Sequence, residues 1–276
     1  MSLDNRMIMD LLAEDALAPA LDEARAAVKT KPADKALRHL YIDLLVLSGD
    51  YERADAQCDV AARFEATDGL GYALLRREIR AMAARADWYD KGAMPSFPGG
   101  PGPLDEIALK LGLAVREQSH GEAASLVRQL DEARGERPMN WNGAAISDLR
   151  DLDDRLPHAL EVLTNGGAYL WVDIARIESL VLQPIARARD LAFRRAELTL
   201  AGGASASVLL PAIYPGIYED SALALGRQTE WVELAEGLTI GRGQRSLFNG
   251  DDMVSLHELE SLEAVQDKAE RQAARG

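Results

Sequence analysis

Apolar residues over positions 1–90 recur every three or four residues, which is the spacing of amphipathic helices. One apolar stripe runs along residues 37–45, and a second runs along residues 51–64. The segment SGDY (48–51) between them supplies a glycine that ends one helix and an aspartate that caps the next. This pattern predicts two short helices joined by a tight turn.

The helical pattern also repeats along the chain. Four apolar positions recur after 34 residues: Leu3, Met7, Ile8 and Leu11 correspond to Leu37, Tyr41, Ile42 and Leu45. A period of about 34 residues is typical of tetratricopeptide helix pairs. A third copy begins at Leu74, but its second helix is lost because the register falls on Trp88 and Pro95. We therefore predict helical repeats over residues 3–89.

A segment rich in proline and glycine, KGAMPSFPGGPGP (91–103), follows the repeats and predicts a linker. Helical spacing resumes over residues 104–134, where we predict two further helices. A repeat array cannot bury its own end face, so these two helices would cap it. Residues 1–138 are thus predicted to form one helical domain that resembles a tetratricopeptide array.

Hairpin patterns replace the helical spacing in the second half of the chain. Residues 160–172 place Asn165, Gly166 and Gly167 between two apolar runs, and residues 196–215 and 229–240 have the same arrangement. We predict a short helix over residues 173–180.

These patterns predict the fold class. We expect an α+β protein in which the helical superhelix is followed by a mainly antiparallel β domain, a partial barrel with short helices, over residues 139–262. Residues 263–276 are polar and are predicted to form a frayed helical tail.

Charge and composition narrow the classes of partner. The 276 residues include 45 Asp and Glu against 31 Lys and Arg, a net charge of -14. Such a chain repels nucleic acids and anionic membranes, so neither is an expected partner. The sequence contains no apolar run of about 20 residues and no basic start typical of a signal peptide, so we expect a cytoplasmic protein.

The densest group of possible catalytic or metal-binding side chains is DLRDLDDR (148–155), which holds Asp148, Asp151, Asp153 and Asp154. A hard cation needs carboxylates that converge from several segments, whereas these are nearly consecutive and alternate with arginines. Internal salt bridges and caps explain the cluster better. We expect no metal and no other cofactor.

Other candidate groups also favour a structural interpretation. The segment GRGQR (241–245) lacks a phosphate-loop pattern and predicts a turn that displays Arg242 and Arg245, which together with Arg227 could bind a carboxylate. Cys58 lies at a helix packing position, which predicts an inert core thiol. His158 is near Asp153 and Asp154 in sequence, but no third member of a triad is evident, and we identify no catalytic constellation.

We expect the large aromatic residues in the β half to fill the interior of the barrel rather than to stack on a ligand. After catalysis and metal binding, the remaining role that we consider for side chains of the two halves is binding a partner protein. The candidate partner-binding residues are Tyr41, Leu44, Tyr169, Trp171, Tyr214, Arg227, Trp231, Arg242 and Arg245.

The second half resembles a known family through an ordered set of segments. These are DLRDLDDRLPHALEVLTNGGAYLWV (148–172), LAFRRAELTL (191–200), LLPAIYPGIYEDSALALGRQTEW (209–231) and GRGQRSLFNGDD (241–252). They are similar to the ImpE family, also called TagJ or SciE-type proteins, which are accessory components of bacterial type VI secretion systems. The 91–103 linker and the polar tail are not part of this resemblance.

The resemblance implies a non-enzymatic adaptor. Such an adaptor would bind the N-terminal helix of the small sheath subunit and associate with the ClpV unfoldase, an AAA+ protein that recycles contracted sheath. From the residues alone, a repeat array offers a groove for a short helix, and the acidic surface favours a partner segment bearing Lys or Arg.

Two other functions remain open at this point. One is an enzyme that uses carboxylates or arginines of the β domain. The other is a general co-chaperone that holds client peptides through its tetratricopeptide-like repeats.

Overall fold

The computed structural model describes residues 3–64 and 69–265. The helical half contains seven helices within these ranges: α1 (Leu3–Ala13), α2 (Leu17–Thr30), α3 (Lys35–Leu47), α4 (Tyr51–Phe64), α5 (Gly69–Lys91), α6 (Pro103–Arg116) and α7 (His120–Arg134). Consecutive helices pack side by side, so α1 to α4 form the two predicted pairs. The third pair is reduced to α5, one long helix that continues through Trp88.

Local sequence explains how these helices begin and pack. Asp34 caps α3 by accepting a hydrogen bond from the backbone N–H of Leu37, at 3.1 Å. In α2, Ala20 and Ala24 are fully buried and bring the neighbouring helices close together. Gly49 adopts a positive φ of 75° in the turn before α4, as the sequence predicts for a helix stop.

The second half is built mainly from short strands, with one short helix, α8 (Ser221–Ala224). The strands are β1 (Met139–Trp141), β2 (Ala144–Ile146), β3 (Arg150–Asp151), β4 (Ala159–Thr164), β5 (Tyr169–Asp173), β6 (Ile177–Leu182), β7 (Phe193–Leu200), β8 (Ser205–Pro211), β9 (Thr229–Ala235), β10 (Leu238–Gly243), β11 (Ser246–Phe248), β12 (Met253–Ser255) and β13 (Ser261–Ala264). All three predicted hairpins are present, as β4–β5, β7–β8 and β9–β10.

The main sheet has eight antiparallel strands in the order β2-β1-β13-β6-β7-β8-β4-β5. Its edges in the described part of the chain are β2 and β5, so the sheet is open. A two-stranded sheet, β10-β9, and a three-stranded sheet, β12-β11-β3, lie beside it. The predicted α+β class, with helices first and an antiparallel sheet second, is confirmed.

Two local predictions in this half were wrong. Residues 173–180 do not form a helix, because Asp173 caps only a single 3-10 turn and the chain then continues as β6, in which Ile177, Leu180 and Leu182 are buried. The polar tail was placed too early, since β13 extends to Ala264 and pairs with β1 and β6. The rest of the predicted tail, 266–276, lies outside the described residues.

The main sheet is buried on both faces. Alternate residues of β4 separate into two cores: Ala159 and Leu163 pack against the helices, and Leu160 and Val162 pack into a second core on the opposite face. The first core contains residues of both halves of the chain. The division into two domains at residues 138 and 139 therefore stays a prediction.

The predicted linker is ordered by contacts with the sheet. The Ser96 N–H donates to the carbonyl oxygen of Tyr169, at 2.9 Å, and the Ser96 carbonyl accepts from the N–H of Trp171, at 3.0 Å. These bonds form an isolated parallel bridge beside the edge strand β5. Within the described ranges, no helix is long and apolar enough to cross a membrane.

The contact between α5 and α6 predicts the effect of one substitution. A Cβ atom added at Gly112 would lie 2.5 Å from Cζ2 of the buried Trp88 ring. Replacing a helical glycine with alanine normally stabilises a helix by up to about 1 kcal/mol. We expect Gly112→Ala instead to lower the free energy of unfolding by about 1–3 kcal/mol, measured by urea denaturation, because the ring has to move.

Gly121→Ala in α7 is the matched control, because an added Cβ there has no neighbour within 4 Å. We expect this variant to keep or slightly raise the stability of the protein. Equal effects of the two substitutions would contradict the proposed clash at Gly112.

Candidate functional site

The helices dock on the sheet half through α3 and α5, the first helices of the second and third repeats. Helix α5 contacts β4 and β5, and α3 contacts the 3-10 turn Ala188–Leu191. This contact region is called the interface below. A face of the repeat array that could otherwise receive a partner is therefore covered by the chain itself.

Ion pairs cross the interface at several levels. Asp43 of α3 binds two arginines, Arg187 at 3.1 Å and Arg189 at 2.8 Å. Glu78 of α5 binds Arg195 of β7 at 2.9 Å. Both carboxylates are buried, whereas the side chains of Arg187 and Arg195 are about one-third exposed. These pairs therefore join the helices to the sheet where the interface meets the solvent.

A second link joins the end of α1 and the start of α2 to α8 and the segment after it. Arg227 lies 2.7 Å from the carboxylate of Asp15 and donates hydrogen bonds to the carbonyl oxygens of Leu12, at 2.6 Å, and Ala13, at 3.1 Å. The Leu17 N–H donates to the hydroxyl of Ser221, at 3.2 Å. Arg227 thus satisfies the last carbonyl groups of α1.

Glu161 of β4 is the centre of the interface. It lies between Ala159 and Leu163 on the helix side of the sheet, and its side chain is fully buried. Arg85 of α5 holds it with two parallel hydrogen bonds, from Nε to Oε1 at 2.9 Å and from Nη2 to Oε2 at 2.8 Å. Arg245 donates a further bond to Oε2. This bidentate arrangement fixes the helix relative to the strand.

Tyrosines complete the hydrogen bonds of Glu161. The hydroxyls of Tyr169 and Tyr89 donate to Oε1 at 2.5 Å and 3.1 Å. The Tyr169 hydroxyl in turn accepts a bond from the indole N–H of Trp171 at 2.6 Å. The Glu161 carboxylate therefore accepts five hydrogen bonds.

Arg245 connects this centre to a second buried carboxylate. It lies 3.0 Å from Asp151, which also accepts a hydrogen bond from the hydroxyl of Tyr214 at 3.0 Å. The backbone N–H of Ser246 donates to the same hydroxyl at 3.2 Å. A Cβ atom at Gly241 would overlap the Tyr214 ring, so glycine is required where β10 passes over it.

The two buried carboxylates have opposite pKa shifts. Burial alone would raise the pKa of Glu161, but Arg85 and Arg245 hold it well below its ordinary value. For Asp151, burial raises the pKa to about 6 despite Arg245, and the nearby Asp153 carboxylate adds to the rise. Glu161 is thus a permanent anion that is already saturated with donors, which favours a structural role over proton transfer.

The acidic cluster 148–155 binds arginines of the same chain. Asp148 pairs with Arg134 at 2.5 Å, Asp153 with Arg155 at 2.5 Å and Asp154 with Arg150 at 3.1 Å. The interpretation of this cluster as internal salt bridges is confirmed. In the described part of the chain, no three His, Cys, Asp or Glu side chains are grouped closely enough to hold a metal ion.

The remaining chemical candidates are buried. Cys58 lies in the helical core, and burial raises the pKa of its thiol to about 12. His158 is fully buried, and its Nε2 atom lies 3.0 Å from Asp105 of α6 rather than near Asp153 or Asp154. Neither residue is placed to act on a substrate from solution.

Most of the predicted partner-binding residues lie in the interior. Six of them are buried: Tyr41, Leu44, Tyr169, Trp171, Tyr214 and Arg245. The prediction that the turn displays Arg245 was wrong, because the chain after β10 directs this side chain toward Asp151 and Glu161. Four of the six, namely Tyr169, Trp171, Tyr214 and Arg245, meet in the network around Glu161.

Three predicted residues reach the surface, and they are not grouped into one site by contacts with each other. Arg227 binds the end of α1, Arg242 pairs with Glu230 at 3.1 Å, and Trp231 packs edge-on against Tyr214, with ring centroids 5.9 Å apart. Their role in partner binding stays a prediction.

Two residues of the network, Arg85 and Glu161, were absent from our candidates. Each is a charged residue at a position that the local pattern reserves for apolar side chains, and this is the signal that could have identified them. Arg85 follows Ile79 and Met82 on the buried stripe of α5.

Two open depressions lie along the interface. The first, called the α1–α3 groove, has a volume of about 410 Å³ and is lined by Asn5, Met9, Ala36, His39, Leu40, Asp43, Ile185, Ala186, Arg187, Ala188 and Leu191. The second, of about 350 Å³, is lined by residues around the α3–α4 turn, α5 and the segment 213–217. A partner could enter the interface at these two depressions.

The fold and the interface together define a class: a tetratricopeptide-like array docked on an antiparallel sheet through buried ion pairs. A family model described as ImpE protein matches residues 143–263. The chain is 32% identical over 257 residues to the type VI secretion system accessory component TagJ of Pseudomonas aeruginosa, covering 92% of this chain and 89% of that protein.

A solved structure has the same fold. The X-ray crystal structure of protein VPA1032 from Vibrio parahaemolyticus superimposes with a TM-score of 0.89 and 28% identity, covering 95% of this chain and 99% of that chain. The chain belongs to the ImpE family, and the resemblance read from its sequence is confirmed.

We expect removal of the buried charge of Glu161 to lower the stability of the protein strongly. Glu161→Gln keeps the size of the side chain but removes the charge that compensates Arg85 and Arg245. We expect the free energy of unfolding to fall by about 3–5 kcal/mol, because breaking a buried pair leaves an uncompensated charge. Urea denaturation followed by circular dichroism measures this loss.

Glu230→Gln provides the control, since its pair with Arg242 is exposed. Its effect should stay within about 1 kcal/mol. If Glu161→Gln were as mild as this control, the central role of Glu161 would be wrong.

The shift at Asp151 predicts an unusual pH dependence. Because its pKa is raised on folding, the folded protein binds this proton more tightly, and stability from this group falls as pH rises from about 4 to about 6. Asp151→Asn removes the titration. The difference in unfolding free energy, wild type minus variant, should therefore grow by up to about 3 kcal/mol between pH 7 and pH 4.

Urea denaturation of both proteins at several pH values gives this difference directly. A difference that stays constant, or that shrinks as the pH falls, would show that folding does not raise the pKa of Asp151.

Proposed function

We propose that this protein is a non-enzymatic adaptor of a bacterial type VI secretion system. In this role it binds the N-terminal helix of the small sheath subunit and associates with a ClpV-type AAA+ unfoldase during recycling of contracted sheath. It acts in the cytoplasm and needs no cofactor. The observation that carries the proposal is the similarity to TagJ, which extends over both halves of the chain.

The interface supports binding rather than catalysis. Its central carboxylate accepts five hydrogen bonds, and its cations are matched by buried anions of the same chain. Such a network holds the two halves in one arrangement. A rigid surface is an advantage to an adaptor because less ordering is required when the partner binds.

The co-chaperone alternative requires a helical half that binds clients by itself. Within the described residues, α3 and α5 use part of their surface to contact the sheet, and the first core includes side chains from both halves. Residues 1–138 alone would expose that core to water. These observations favour the complete chain as the binding unit.

Isothermal titration calorimetry tests the proposal with the full-length protein. The probe is a peptide that copies the N-terminal helix of the small sheath subunit encoded in the same genome. We expect a dissociation constant in the micromolar range or below, equivalent to about -8 kcal/mol or better. A peptide of the same composition in scrambled order is the control.

The outcomes separate the adaptor from the general co-chaperone. Selective binding of the native-order peptide supports the adaptor, and equal binding of both peptides would favour a general co-chaperone. Absence of binding to the peptide would remove the proposed sheath contact. Association with the unfoldase is measured separately, by co-purification of full-length protein with the ClpV-type protein of the same organism.

A further inference from the structure

The α1–α3 groove offers apolar surface on both of its walls. Met9 on α1 is 42% exposed, and Ile185, on the segment that leads into the 3-10 turn, is 46% exposed. Leu40 of α3 is half-buried between them. An exposed apolar surface in a concave setting is a frequent feature of protein interaction sites.

The shape of the groove suits a helix. The residues that α3 contributes, Ala36, His39, Leu40 and Asp43, follow the spacing i, i+3, i+4, i+7 and so form one face about 10 Å long. On α1, Asn5 and Met9 are separated by one turn and line the facing wall. Two turns of an amphipathic helix could place its apolar side chains between these walls.

The charge around the groove differs from that of the whole chain. Asp43 is already paired with Arg187 and Arg189, and Arg187 is one-third exposed at the edge of the groove. Near His39 these two arginines outnumber the one carboxylate. Burial lowers the pKa of His39 most, and Arg187 is the next cause that lowers it.

Local charges decide which partner fits, because exposed charges are screened beyond about 8–10 Å at physiological salt. The net charge of -14 therefore has little influence inside the groove. An excess of positive charge at its edge favours carboxylates on the partner. This reverses, for this surface, the expectation of a basic partner segment that the composition suggested.

We propose that the α1–α3 groove is the docking site for an amphipathic helix that inserts apolar side chains between Met9 and Ile185 and turns Asp or Glu side chains toward Arg187. This inference rests on the proposed function and assigns the sheath-derived helix to that groove. The groove has walls from both the helical half and the sheet half. The partner helix therefore contacts a surface that exists only when the two halves are docked.

The test compares two pairs of substitutions in the full-length protein. The double variant Met9→Gln, Ile185→Asn removes apolar surface from the two walls of the groove. The matched double variant Met94→Gln, Ile217→Asn changes the same residue types, which are also exposed but lie outside the groove. All four side chains are exposed, so thermal unfolding should confirm that both variants keep the wild-type fold.

Calorimetry with the sheath-helix peptide then gives a direct comparison. We expect the groove variant to bind at least about tenfold more weakly than wild type, and the matched variant to bind within about twofold of it. A peptide in which Asp and Glu are replaced by Asn and Gln should also bind more weakly to the wild-type protein.

The possible results separate this inference from the proposed function. Wild-type binding that the groove variant leaves unchanged overturns the groove as the docking site and leaves the adaptor function standing. Binding that survives in the groove variant but is lost in the matched variant assigns the helix to another surface. Failure of the wild-type protein to bind the peptide overturns both. Unchanged binding of the neutralised peptide overturns the acidic character of the partner.

Discussion

The carboxylate of Glu161 lies between two arginines from distant parts of the chain, and the arrangement of the two halves depends on this contact. Arg85 approaches from a helix and Arg245 from the segment after a strand, while Glu161 projects from the middle of β4, next to the edge strand β5. Apolar packing around it supplies most of the attraction but tolerates sliding. Hydrogen bonds hold their partners at fixed angles and do not tolerate sliding. The buried ions therefore determine the relative position of the surfaces that apolar contacts bring together.

The parts of the fold that depend on neighbouring residues could be predicted from the sequence. Stripes at helical spacing located α3 and α4, and the residues Asn165, Gly166 and Gly167 located the β4–β5 hairpin, because short-range geometry determines both. The segment after β5 was the exception. It contains a helix-capping aspartate, Asp173, but pairing with two neighbouring strands outweighed this local signal.

The site was harder to predict because its contacts join residues far apart in sequence. Charged residues are normally placed at the surface, so Arg245 was expected beside Arg242 in an exposed turn. Its partner Glu161 lies 84 positions away, and no local pattern connects them. A better signal is a charged residue that interrupts an apolar run. Glu161 in ALEVL and Arg85 on the buried stripe of α5 both show this signal, and they bind each other.

The bridge formed by Ser96 has a consequence for contacts between molecules. An uncovered edge strand presents free N–H and C=O groups that invite a neighbouring chain to extend the sheet. Here the linker occupies part of that position along β5, and the opposite edge, β2, is only three residues long. Two copies that meet edge to edge at the main sheet would therefore find little backbone to share. The proline-rich segment that the sequence predicts to be a linker thus shields part of one edge of the main sheet.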